Sequence, residues 1–206
     1  MNRGPTYKVP FKRRLEKKTD YRKRLRLLYS KEKRLVVRKS LKHMRAQVIE
    51  FDTKGDKSLV SASSQELKKF GWDGPSDNVT SAYLTGLLIG KRTLNKKINS
   101  VVLDIGIQRS VKGSKIYAVL KGALDAGLSV PHSPDIFPSE ERIKGKHIVD
   151  YAEKLKKEDE KSYKKQFSAY NPEKIVEMFE KVKANVMKGW NDDKEKRGKE
   201  RGDKRS

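Results

Sequence analysis

The chain has 206 residues, 34% hydrophobic and 37% charged, with 50 Lys and Arg against 27 Asp and Glu, a formal net charge of +23 and a pI near 10.0. That length holds one ordinary domain with appendages, and that charge opposes compaction and favours a polyanionic partner. The absence of cysteine excludes disulfides, thiolate zinc sites and a Cys nucleophile, while an apolar stretch that peaks around Ala82–Gly90 is too short for a bilayer and the N-terminus has no signal-type apolar run, so a soluble intracellular protein is expected.

The charge is unevenly placed. Residues 1–45 hold 18 Lys and Arg against three acids, residues 46–140 hold 12 against ten, and residues 141–206 hold 20 against 14. The first 18 residues (MNRGPTYKVPFKRRLEKK) contain two prolines, a glycine and many cations, and read as an extended arm ending in a helical turn. Asp20 is placed to cap a helix through Ser30. On that helix Tyr21, Leu25, Leu28 and Tyr29 recur at helical spacing, which predicts an apolar side docked on the protein and arginines turned outward. Arg34–Ser40 and His43–Asp52 read as strands. The turn DTKGDK follows, and Ser58–Ala62 is a third strand, completing an antiparallel meander.

The period then lengthens. Ser64–Phe70 is a short helix, WDGPSDN a loop, and Asn78–Lys96 a helix with Val79, Tyr83, Leu87 and Leu88 inward. Ser100–Ile105 (SVVLDI) is nearly all apolar, which predicts a central strand buried on both faces. Ser114 starts a helix with Ile116, Val119, Leu120, Ala123 and Leu124 at spacings of three and four. Gly127 ends it, and Leu128–Val130 forms a last short strand, reached by a parallel crossover. The core, residues 19–132, should close near His132, with 133–145 as a linker. Residues 146–189 should form a helical extension: one helix over Lys146–Ser162 and another over Asn171–Met187, capped by Asn171, opened by Pro172 and striped by Ile175, Phe179, Val182 and Val186. The charged residues 190–206 read as a disordered tail.

Four groups of residues carry candidate chemistry. The basic arm suits RNA or DNA phosphates, and its Tyr7, Phe11 and Tyr21 suit stacking on unpaired bases. Strand alternation puts His43, Arg45 and Gln47 on one face of the second strand, with Arg34 and Arg38 sharing a face of the first and Ser61 and Ser63 a face of the third. If these faces coincide, the sheet presents cations and hydroxyls to a partner. The loop IQRSVKGS precedes a helix N-terminus, where Arg109, Lys112 and Gly113 suit a phosphate, although no GxxxxGK[ST] loop is present. Finally, Asp104 ends a buried strand, and a two-metal nuclease would need it to converge with Asp52, Glu66 or Asp125. No metal-ligand spacing or nucleophile elbow supports that chemistry, so no catalytic residue, metal or cofactor is assigned.

The runs YKVPFKRR, TDYRKRLRLL, RLVVRKS, HMRAQV, SAYLTGLLIGKR, VVLDIG, KGSKIYAVLKGALDAGL and VPHS, in this order from Gly4 to Tyr151, closely resemble the ribosomal protein family that binds 5S ribosomal RNA. This is large-subunit protein eighteen in universal numbering and protein five in eukaryotes. KGSKIYAVLKGALDAG and PHSPDIFPSEERIKGKHI look like its archaeal and eukaryotic branch, and the short chain points to the archaeal type. The resemblance implies an α/β fold, a mixed sheet with helices in a ribonuclease-H-like arrangement, without nuclease activity. It implies a structural role in the large subunit: holding 5S RNA, helping to attach it to the large rRNA at the central protuberance, and lying beside neighbouring large-subunit proteins, with no membrane or small-molecule partner, in the cytoplasmic ribosome. The implied RNA contacts are Lys12, Arg13 and Arg14 of the arm, Arg22, Arg24 and Arg26 of the helix, Arg34, Arg38, Lys39, His43 and Arg45 of the meander, and Arg109 and Lys112 of the loop. The alternatives are an RNA assembly factor or chaperone, and a metal-dependent nuclease of similar fold.

Overall fold

The computed structural model describes residues 4–202, with side chains through Lys188. The tail expected to be disordered, residues 190–206, lies outside the described side chains; its backbone as far as Gly202 continues the last helix. The arm runs without regular structure to a single turn, α1 (Lys12–Leu15). Helix α2 (Tyr21–Leu28) starts where Asp20 accepts hydrogen bonds from the Arg22 and Lys23 amides. The Lys23 amide contributes most to holding that carboxyl below the ordinary carboxylate range.

Three strands follow, β1 (Arg34–Lys39), β2 (Met44–Glu50) and β3 (Lys57–Ser63), paired antiparallel as the alternation predicted. Their inward residues Leu35, Val37, Met44, Ala46, Val48, Val60 and Ala62 are buried. A 3-10 helix (Ser64–Phe70) is opened by a capping box of Ser63 and Glu66. Helix α3 (Val79–Asn95) lies across the inward face, with Asn78 as its cap. Strand β4 (Val102–Asp104) pairs parallel to β1, giving the order β3-β2-β1-β4. Helix α4 (Lys115–Asp125) packs beside α3.

These two helices touch backbone to backbone. A Cβ on Gly86 would sit far inside contact distance of the Val119 carbonyl, one on Gly122 would strike the Tyr83 carbonyl oxygen, and one on Gly90 would lie 2.6 Å from the Ala126 Cβ. Small residues at spacings of four on both helices thus permit an approach that larger side chains would prevent.

Strand β4 corrects one expectation. It is not a central strand buried on both faces: Val102 and Leu103 are only half-buried. Its second neighbour is reduced to a single parallel bridge between Ser100 and Ser129. The apolar run arises because Val101 faces the helices and is buried, while Asp104 on the opposite face is buried among arginines.

The C-terminal part corrects another. Residues 133–145 are no slack linker: they form a 3-10 turn (Pro134–Ile136) and helix α5 (Glu140–Lys144), and Ile143 is buried. Gly145, at φ +89°, sits against the side chains of Thr80 and Ile175, where a Cβ would collide at 2.7 Å. Helices α6 (Lys146–Glu158) and α7 (Glu160–Gln166) break at Asp159, which caps the second. After a 3-10 turn (Pro172–Lys174) capped by Asn171, helix α8 (Ile175–Gly202) returns to the core. Its predicted stripe, Ile175, Phe179, Val182 and Val186, belongs to the same hydrophobic cluster as the sheet and α3.

Candidate nucleic-acid interface

The sheet face away from α3 and α4 is where the predicted site residues gather. Register places Arg38 opposite Arg45, Arg45 opposite Ser63, Val36 opposite Gln47 and Gln47 opposite Ser61. The three polar faces expected from alternation therefore coincide, because antiparallel partners directly opposite point to the same side. Val102 and Asp104 join this face through their pairing with Arg34 and Val36.

Above it lie the arm and α2. Between them and the sheet is a cleft of about 550 Å³ with Arg13, Lys18, Lys23 and Arg38 among its cations and Val36, Gln47 and Ile49 on the sheet side. Arg13 Nε donates to Thr19 Oγ1 at 2.9 Å, and the Phe11 and Tyr21 rings pack with centroids 5.2 Å apart, so the end of the arm folds back on the start of α2.

A chain of alternating charges runs across the floor. Arg24 Nη2 reaches Asp56 at 2.9 Å, and Arg34 Nη2 reaches the other oxygen of Asp56 at 2.7 Å. Arg34 Nη1 then reaches Asp104 at 3.0 Å, and Arg38 Nη2 reaches Asp104 at 3.1 Å. The Gly106 amide also donates to Asp104, at 2.7 Å. Arg38 Nη1 donates further to the carbonyls of Val37 and Asp104, yet 43% of this side chain stays exposed. These contacts fix the guanidinium while leaving part of it open to solvent at the cleft.

The structure divides the predicted residues. Lys12, Arg14, Arg22, Arg26, Lys39 and Arg45 are exposed, and Arg13 and Arg38 are exposed at the cleft. His43 is half-buried beside the β1–β2 turn, its Nδ1 buried without a hydrogen-bond partner. Arg109 and Lys112 are exposed on the loop after β4 but do not line the cleft. That loop is pinned by the Gly113 amide on the Ile136 carbonyl and by the paired hydroxyls of Ser110 and Tyr117.

Two arginines do not stand where the sequence reading put them. Arg34 is 3% exposed and committed to two carboxylates, so it builds the floor and does not face outward. Arg24 turns inward to Asp56, whereas Leu25 and Tyr29, expected to dock, are 53% and 73% exposed. With Arg24 paired to the carboxylate on the β2–β3 turn, Tyr21, Arg24 and Leu28 face in, and Arg22, Leu25, Arg26 and Tyr29 face out. Lys18 and Lys23 were missed as cleft residues, although both lie in the cation-rich run that singled out their neighbours.

The four acids weighed for metal chemistry are separately engaged. Asp52 pairs with Lys57, Glu66 with Arg92, Asp104 with Arg34 and Arg38, and Asp125 with Lys121 and the Tyr83 hydroxyl. Among the described residues no group of three or more His, Cys, Asp or Glu is placed to hold a metal ion, and no helix is long and apolar enough to cross a membrane.

The model of the family described as ribosomal large subunit proteins 60S L5 and 50S L18 matches residues 5–100 and 96–133. The match spans the arm, α2, the whole sheet, α3 and α4, and therefore every residue predicted to contact RNA. It covers more than half of the chain, so the chain belongs to this family of large-subunit ribosomal proteins, an RNA-binding structural component of the cytoplasmic ribosome and not an enzyme.

Proposed function

We propose that this large-subunit protein binds 5S ribosomal RNA and helps attach it to the large rRNA at the central protuberance, beside neighbouring large-subunit proteins. The observation that carries the reading is the set of exposed cations: Arg38 and Arg45 on the outer sheet face, Lys39 at the end of β1, Lys12 and Arg14 of the arm, and Arg22 and Arg26 of α2. Each cation that displaces counterions from a phosphate adds affinity, and together they follow an RNA backbone. Phe11 and Tyr29, 72% and 73% exposed among these cations, offer rings to unstacked bases. Arg109 and Lys112 supply a separate contact, and His43 a lesser one at the sheet end. The segment PHSPDIFPSEERIKGKHI supports a member of the archaeal and eukaryotic branch.

The test is crosslinking in intact cells followed by sequencing of the bound RNA. Reads dominated by 5S RNA, from a protein that sediments with mature large subunits, are the expected result. Reads spread over other RNAs, or a protein absent from mature subunits, overturn it.

A further inference from the structure

Helix α2 carries Arg22 and Arg26 at the front of the interface, yet none of its residues is buried. Tyr21, Leu27 and Leu28 are only half-buried and Leu25 and Tyr29 are more than half exposed, so removal of apolar area from water holds the helix in one orientation only weakly. A charged link joins it to the sheet: Arg24 Nη2 donates to Asp56 Oδ1 at 2.9 Å. The other oxygen of Asp56 accepts from Arg34 at 2.7 Å, and Arg34, with a side chain 4% exposed, is itself clamped to Asp104 at 3.0 Å. Asp56 is thus held from below by a buried arginine and holds α2 from above.

On charge alone an acid is out of place there, because a carboxylate on an RNA-binding face repels phosphate. We propose that Asp56 is a positioning residue for RNA binding: by holding Arg24 it fixes α2, and so sets the direction in which Arg22 and Arg26 present their guanidinium groups. The proposal rests on the reading that the chain binds 5S RNA. It makes a negatively charged residue favourable for binding a polyanion, because cations ordered beforehand lose less freedom when the complex forms.

The test uses the full chain, the variants Asp56→Asn and Asp56→Glu, and three measurements. These are affinity for a 5S ribosomal RNA transcript over a salt series, affinity for heparin, and amide hydrogen exchange over residues 21–28 of the free protein. Asp56→Asn makes the protein more positive, so charge alone predicts tighter binding to both polyanions. The positioning role predicts 5S affinity about tenfold weaker, in the range typical of coupled residues in one ion-pair network. Heparin affinity should be unchanged or higher, exchange in α2 faster, and 5S affinity recovered in Asp56→Glu. Unchanged or tighter 5S binding by folded Asp56→Asn overturns the proposal.

Should Asp56→Asn fail to fold, Arg24→Ala leaves the Asp56–Arg34–Asp104 links intact and decides the matter. Faster exchange in α2 with a larger loss for 5S RNA than for heparin supports positioning, and equal losses overturn it. A wild-type chain that binds 5S RNA no better than an unrelated duplex overturns the 5S reading and the RNA role of Asp56 with it, and the exchange data then report separately whether Asp56 fixes α2.

Discussion

Arg24 and Leu25 are adjacent, and their environments are the reverse of what their chemistry alone indicates: the arginine is turned to the sheet and the leucine to water. Arg24→Ala should therefore lower stability by about 1 kcal/mol, the upper end for a partly exposed ion pair. Leu25→Ala should stay within about 0.5 kcal/mol. Thermal melts of the two variants check the order. Arg34 is a stronger case, since removing it takes a partner from each of two carboxylates, one of them on a side chain 8% exposed. Arg34→Ala should cost about 3–5 kcal/mol, the range for breaking a buried pair from one side. A denaturant titration showing a loss below about 1 kcal/mol would mean that water reaches Asp104. Asp104 illustrates how an acid at the end of an apolar strand resembles a catalytic carboxylate until its partners are known.

Among the elements, α3 and α4 show most directly how packing depends on what is missing. Their approach rests on Gly86, Gly90, Gly122 and Ala126, and the neighbours a new Cβ would meet are mostly backbone atoms, which cannot swing aside. Gly86→Ala or Gly122→Ala should each destabilise by about 1–3 kcal/mol or more by forcing the helices apart. Gly4→Ala, with nothing within 4 Å of the new Cβ, serves as the control and should melt as the wild type does. The helical periodicity of these segments identified their apolar sides, but not which glycines meet a neighbouring backbone. The meander was legible for a simpler reason: alternation over Met44–Glu50 puts Met44, Ala46 and Val48 inside on any register that buries one face. The phase of α2 was not legible, because its decisive partner, Asp56, lies 32 residues away.

For the molecule as a whole, the C-terminal helices are part of the core. Phe179 packs on Tyr83 with centroids 5.6 Å apart, and Ile143, Ile175, Val182 and Val186 are buried with it. A chain cut after residue 132 should lose on the order of several kcal/mol, because each large apolar side chain withdrawn from a core forfeits about 1.5–3 kcal/mol. Its melting temperature against the full chain is the measurement. The charge of the whole molecule sets a second expectation. With roughly eight phosphates neutralised, affinity for 5S RNA should fall by several powers of ten between low and moderately high salt. A titration showing little salt dependence would remove the electrostatic basis of the interface.

The sequence by itself determined the excess of positive charge, the order of elements from α2 to α4, the inward stripes of α3, α4 and α8, and the family. These are local or summed properties: net charge, periodicity, capping residues and runs of motifs. Only the tertiary structure decided that Arg34 is floor and Arg38 is surface, that Arg24 points inward, that β4 lies at the edge of the named strands, and that residues 133–145 bind the C-terminal helices to the core. Each of these depends on a partner far away in sequence. The strength of an ion pair or a backbone contact falls steeply with distance, so its effect is fixed only when the chain has folded and the distance is set.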